Sequence, residues 1–143
     1  MVVLDIHKGK YTNKETKCNS VSISNIKMVE DLEKFGLYPN KSLTLKFPNI
    51  PNKFLSHFIR GVFDGDGSKI VKYKNKITIT SGSRSFIYSL SEMLLNIDIY
   101  NKVYSYKYHT LTIIRKSEIE KFFNFIYKNK RDMYFEKKYN KFI

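Results

Sequence analysis

Two carboxylates, Asp64 and Asp66, close the stretch Ile59-Arg60-Gly61-Val62-Phe63-Asp64-Gly65-Asp66-Gly67. They fall at the end of a helical pattern, where the macrodipole disfavours an acidic group by ~0.3–1 kcal/mol. Two acidic groups in that place call for a compensating cation, either a metal ion or a lysine. Carboxylate and water oxygens suit Mg²⁺. The chain carries 26 basic against 13 acidic residues, a formal charge of +13, and excess positive charge favours a polyanion through counterion release. A carboxylate at the base of a helix is therefore a candidate for metal-dependent chemistry on nucleic acid.

Other chemistries find no support in the residue pattern. His7, His57 and His109 make no metal-ligand spacing such as His-Glu-x-x-His, and there is no P-loop, dinucleotide fingerprint or histidine nuclease motif. The single Cys18 excludes an internal disulfide and a cysteine-based zinc cage. Nothing marks any of the 11 tyrosines as a nucleophile. A lysine-rich solvated surface would give the same charge without any partner, and the aromatic residues serve a core as readily as they stack on bases.

The helix that positions the carboxylates is apolar over too much of its circumference. With Gly61 at zero and ~100° per residue, Phe54, Gly65, Phe58, Val62, Leu55, Ile59 and Phe63 fall within the next ~200°. Lys53, Ser56, His57, Arg60 and Asp64 take the rest. A surface helix needs an apolar stripe of only about 100°, so this one should pack on two sides: its own sheet and something else. Gly61 and Gly65 are neighbours on that surface, and without Cβ atoms they let another backbone come close. Each glycine costs up to ~1 kcal/mol of helix stability. Gly67 serves as a helix cap; Gly61 is left without such a reason.

A length of 143 residues and 42% apolar content suit one domain with a real core. No apolar run approaches the ~20 residues of a membrane span, and Lys8 and Lys10 arrive before a signal-peptide core could form. The expected setting is intracellular, cytoplasmic or organellar. Residues 1–17 are polar and weakly patterned. Val21 and Ile23 suggest a short strand, and residues 25–36 a helix capped by Ser24 and stopped by Gly36. A connector with Pro39, Pro48 and Pro51 follows. From residue 51 the expected order is a helix to Asp66, strands 68–73 and 76–80, a helix over 85–96, strands 102–106 and 110–115, and a helix from Ser117, whose Ser117-Glu118-Ile119-Glu120 reads as a capping box. A short helix lies within 131–142. The sum is α+β: α-β-β-α-β-β-α, one four-stranded antiparallel sheet with helices on one face.

The phrase His57-Phe58-Ile59-Arg60-Gly61-Val62-Phe63-Asp64-Gly65-Asp66-Gly67-Ser68, in that topology, resembles the LAGLIDADG signature of homing endonucleases carried by mobile introns and inteins. The resemblance covers residues 51–143 as a complete repeat; residues 1–50 resemble the tail of a preceding repeat whose own motif helix is absent. It implies that Gly61 and Gly65 are the small positions where two motif helices pack, with Phe54, Phe58, Val62 and Asp64 in the same contact, and that Asp64 is structural, capping or bracing the partner helix. It implies that Asp66, with Gly67 beside it, binds the catalytic Mg²⁺ or another divalent metal. The family's site needs two such helices, so one motif per chain implies a homodimer that hydrolyses phosphodiester bonds of double-stranded DNA. Lys116 is a candidate for positioning water or stabilising the transition state.

The sheet face away from the helices is the expected DNA surface, since a two-stranded ribbon fits the major groove. Val71, Tyr73, Ile77, Ile79, Leu111 and Ile113 should face the core. Lys69, Lys72, Lys74, Lys76, Thr78, Thr80, Lys102, Tyr104, Thr110 and Thr112 should contact DNA, with Arg84 reaching a backbone phosphate. Three alternatives stay open on sequence alone: a truncated DNA-binding remnant without activity, an RNA-binding intron maturase, and a basic module whose glycine helix docks another protein.

Overall fold

The structure, a computed structural model, describes residues 4–9, 18–70 and 75–143. The chain divides into two units, Met1–Tyr38 and Pro39–Ile143. In the first, β1 (Leu4–Gly9) pairs antiparallel with β2 (Cys18–Ile23). β1 lies in a stretch expected to be weakly patterned, although Leu4 and Ile6 alternate with Asp5 and His7, the period-two signal of a strand. Helix α1 (Ile26–Lys34) follows. Its cap is Asn25 rather than Ser24: Asn25 is extended at φ −149° and its side-chain oxygen accepts from the Met28 amide at 3.0 Å. Gly36, at φ +77°, takes the left-handed conformation that ends the helix.

The second unit carries the α-β-β-α-β-β-α order. Helix α2 (Asn52–Asp66) leads into β3 (Gly67–Ile70) and β4 (Lys76–Ser81). Helix α3 (Arg84–Asn96) precedes β5 (Lys102–Ser105) and β6 (His109–Ile113), and α4 (Lys116–Tyr127) and the short α5 (Glu136–Tyr139) complete it. The sheet is antiparallel throughout, in the order β3-β4-β6-β5. Ile77 and Ile79 oppose Ile113 and Leu111, and all four are buried under α2 and α3. Side chains alternate along a strand, so the opposite face carries Thr80, Thr110 and Tyr104 in one row and Ser68, Thr78, Thr112 and Lys102 in the next. Val71, Lys72, Tyr73 and Lys74 lie outside the described residues.

The core joins these strand residues to Ile59 and Phe63 of α2, Phe86, Ile87, Leu90 and Leu94 of α3, and Ile119, Phe122 and Ile126 of α4. Ser83 caps α3: its hydroxyl accepts from the Phe86 amide at 3.2 Å and donates to the Leu45 carbonyl at 2.5 Å. The capping box expected at Ser117 is not formed. Helix α4 starts one residue earlier, with Arg115 at the cap position, and Ser117 lies in its first turn. There Glu118 does different work: one carboxylate oxygen accepts from the Tyr100 amide at 2.7 Å and the other meets Lys121 at 3.1 Å. Those contacts, the amide foremost, hold its carboxyl below the usual range. Among the described residues no helix is long and apolar enough to cross a membrane.

Candidate functional site

Helix α2 presents two different surfaces. Ile59 and Phe63 are fully buried in the core, with Leu55, Phe58 and Val62 packed partly against it. Phe54 is 52% exposed, and Gly61 and Gly65 are both exposed. A Cβ built on either glycine would meet nothing within 4 Å. Among the described residues, their lack of a side chain therefore answers no need of the fold, and the surplus apolar arc is turned outward. Arg60, counted with the polar arc, is instead buried: its guanidinium donates to the Ile126 carbonyl at 3.0 Å and pairs with His57 Nδ1 at 2.9 Å. It satisfies a carbonyl in the last turn of α4, where a cation also meets the favourable end of the dipole.

The two carboxylates have separate fates. Asp64 accepts from the Tyr127 hydroxyl at 2.7 Å and from the Phe135 amide at 3.0 Å. It braces α4 and the segment before α5 of its own chain, a structural role. Burial, then the Asp64 contact, pushes the Tyr127 hydroxyl well above the ordinary phenol range, which keeps it a donor. Asp66 is exposed at the last position of α2. The cation that the helix end requires is Lys138, whose ammonium donates to the Phe63 carbonyl at 2.9 Å and the Gly65 carbonyl at 3.1 Å. Burial lowers its pKa, and the attraction of Asp64 and Asp66 opposes that shift. No sequence spacing links Lys138 to α2; the surplus of negative charge at the helix end was the only signal.

Gly67 follows as the C-cap of α2, as expected, at φ −80°, ψ 159°, an ordinary extended conformation, with its amide donating to the Phe63 carbonyl. The residue is a glycine because a Cβ would stand 2.2 Å from Phe63 Cδ2 and 2.6 Å from the Phe63 carbonyl oxygen. We expect Gly67→Ala to destabilise the fold by about 1–3 kcal/mol, the usual cost of overpacking, read as a lower urea midpoint. An unchanged midpoint would show that the α2–β3 junction yields freely.

The outer sheet face is assembled largely as expected. Lys76, Thr78, Thr80, Lys102, Tyr104, Thr110 and Thr112 share it, with Thr80 and Thr110 joined across the strands at 3.0 Å. Lys69 does not. It pairs with Ile77 on the helix side, is 9% exposed, donates to the Lys141 carbonyl at 2.7 Å and sits 4.4 Å over the Phe142 ring. A one-residue shift in strand register puts a side chain on the opposite face, and Lys69 is out of phase with Lys76. Lys72 and Lys74 fall outside the described residues. Arg84 is exposed at the start of α3, 5.3 Å over the Tyr88 ring. Lys116 lies 3.9 Å from Glu120 and lines a depression with Lys69 and Phe142; none of its described contacts reaches Asp66.

Among the described residues no three His, Cys, Asp or Glu side chains gather as a metal site. At the foot of α2, Asp66 offers an exposed carboxylate, an oxygen ligand of the kind a hard divalent cation takes.

A family profile described as a LAGLIDADG-like domain matches residues 53–127, just over half of the chain. Similar curated proteins include a probable translation initiation factor IF-2 of Thermococcus kodakarensis, 36% identical over 95 residues, which are 62% of this chain and 8% of that protein. Another is a probable translation initiation factor IF-2 of Methanocaldococcus jannaschii, 36% identical over 121 residues, 74% of this chain and 10% of that protein. The chain thus spans a tenth or less of the relatives it matches.

Proposed function

Because the chain belongs to the LAGLIDADG family, we propose that it is a site-specific homing endonuclease that binds double-stranded DNA and cleaves it with a divalent metal as a homodimer. One observation carries this reading: an exposed carboxylate, Asp66, stands at the foot of a helix face whose two glycines have open space in place of side chains. A second copy of α2 laid on that face across a two-fold axis would set the two Asp66 carboxylates side by side. A divalent cation held there would polarise the scissile phosphate and lower the pKa of attacking water. The protein's own share is positioning. Lys138 ties off the carbonyls of Phe63 and Gly65, and Asp64 locks the helix end against α4, so that Asp66 is presented on a fixed support. The outer sheet face, with its threonines, Tyr104, Lys76 and Lys102, would lie along the major groove.

The relatives favour an intein as the host element. A LAGLIDADG-like segment that matches about a tenth of a translation factor is what an endonuclease translated within its host protein would leave.

Duplex binding tests the reading. With about four phosphate contacts, affinity should fall roughly a hundred-fold between about 50 and 200 mM salt. Binding that ignores salt, or a preference for structured RNA over duplex DNA, would contradict it.

A further inference from the structure

The outer face of the β5–β6 ribbon is not flat. At the end remote from the β5–β6 turn it holds a depression of about 230 Å³. Tyr100, Tyr104 and Ile114, each 43–55% exposed, wall it; Thr112, 6% exposed, sits between them; Lys102 and Arg115 stand at its margin. The ladder explains the grouping. Lys102 pairs with Thr112 and Tyr104 with Thr110, and Tyr100 and Ile114 continue the same alternation past the ladder's end. The Arg115 guanidinium lies 4.8 Å over the Tyr100 ring, which holds that ring as one wall.

The polar inventory narrows the ligand. Asn101 also borders the depression, but its amide is spent: it accepts from Ser91 Oγ at 2.6 Å and donates to the Ser91 and Ile99 carbonyls at 3.2 and 3.1 Å. An extruded nucleobase would need partners for its Watson–Crick edge, and this amide has none to give. The lining is mostly apolar, with the hydroxyls of Tyr100, Tyr104 and Thr112 as its other neutral polar groups and Lys102 and Arg115 as its cations. In a duplex, the apolar group that projects into the major groove beside phosphates is the thymine C5-methyl.

Resting on the reading of this chain as a duplex DNA binder, we infer that this depression is a thymine-reading subsite. It takes the methyl edge of one thymine per half-site against Ile114 and the two tyrosines, while Lys102 and Arg115 hold the flanking backbone. It would make base preference at that position depend on shape and apolar contact rather than on a hydrogen-bonded pair.

The test uses the full chain and a duplex selected by it from a random pool. Each thymidine is replaced in turn by deoxyuridine, which removes only the methyl, and affinity is read by fluorescence anisotropy. One position per half-site should lose about three- to five-fold, the worth of one buried methyl. In Ile114→Ala, a change at a half-exposed side chain, that loss should shrink to near unity. Lys102→Ala should weaken every duplex alike and leave the thymine-to-uracil ratio intact. Equal affinity for thymine and uracil at every position, or an Ile114→Ala protein that still discriminates, would overturn the subsite while leaving duplex binding standing. Failure to bind any duplex would overturn both.

Discussion

Asp66→Asn should abolish Mg²⁺-dependent cleavage, by roughly a thousand-fold or more, and leave duplex affinity equal to the parent's or higher. Both halves of that expectation come from where Asp66 sits. It is exposed at the end of α2 and carries no described hydrogen bond that holds the fold. Lys138 stays anchored by the Phe63 and Gly65 carbonyls whatever residue 66 is. The substitution therefore removes an anionic oxygen ligand and little else. It also removes a negative charge beside the phosphates, which is why binding should not suffer. Cleavage that persists in Asp66→Asn would end the assignment of that carboxylate to the metal.

Gly61→Leu should separate assembly from folding. A Cβ at position 61 meets nothing within 4 Å inside the chain, and leucine is the better helix former by about 0.8 kcal/mol. The isolated chain should thus keep or raise its melting temperature. The dimer should be lost, because a branched side chain pushes apart two helix backbones that approach over the glycine face, and cleavage should go with it. A variant that loses thermal stability would show that Gly61 serves the chain's own fold. One that stays dimeric would move the interface elsewhere.

What could be read from the residues, and what could not, divides along a physical line. Patterns local in sequence were legible. The apolar surplus of α2, the period-two alternation of Ile77 and Ile79, and that of Leu111 and Ile113 placed the motif helix and the sheet, and so the outer row of Lys76, Thr78, Thr80, Lys102 and Tyr104. Contacts that join distant residues were not. The ammonium that caps α2 comes from position 138, and the donors that claim Asp64 come from positions 127 and 135. Charge at the helix end announced that a cation was needed without saying which. Lys69 was expected to contact DNA, whereas its pairing with Ile77 puts it against Phe142. Gly67 was read as the helix cap, which it is, but what requires a glycine there is the Phe63 ring. The contacts of Lys138 and Asp64 depend on packing between elements that no spacing along the chain encodes, whereas Gly67 and Phe63 lie only four residues apart.

On the proposed reading, two copies meet over Gly61 and Gly65 and bring their Asp66 carboxylates together. Sedimentation equilibrium of the unaltered protein at low micromolar concentration tests it most directly. The expected mass is that of two 17.0 kDa chains, falling to one in Gly61→Leu. A monomer in the unaltered protein, with or without a bound duplex, would contradict it.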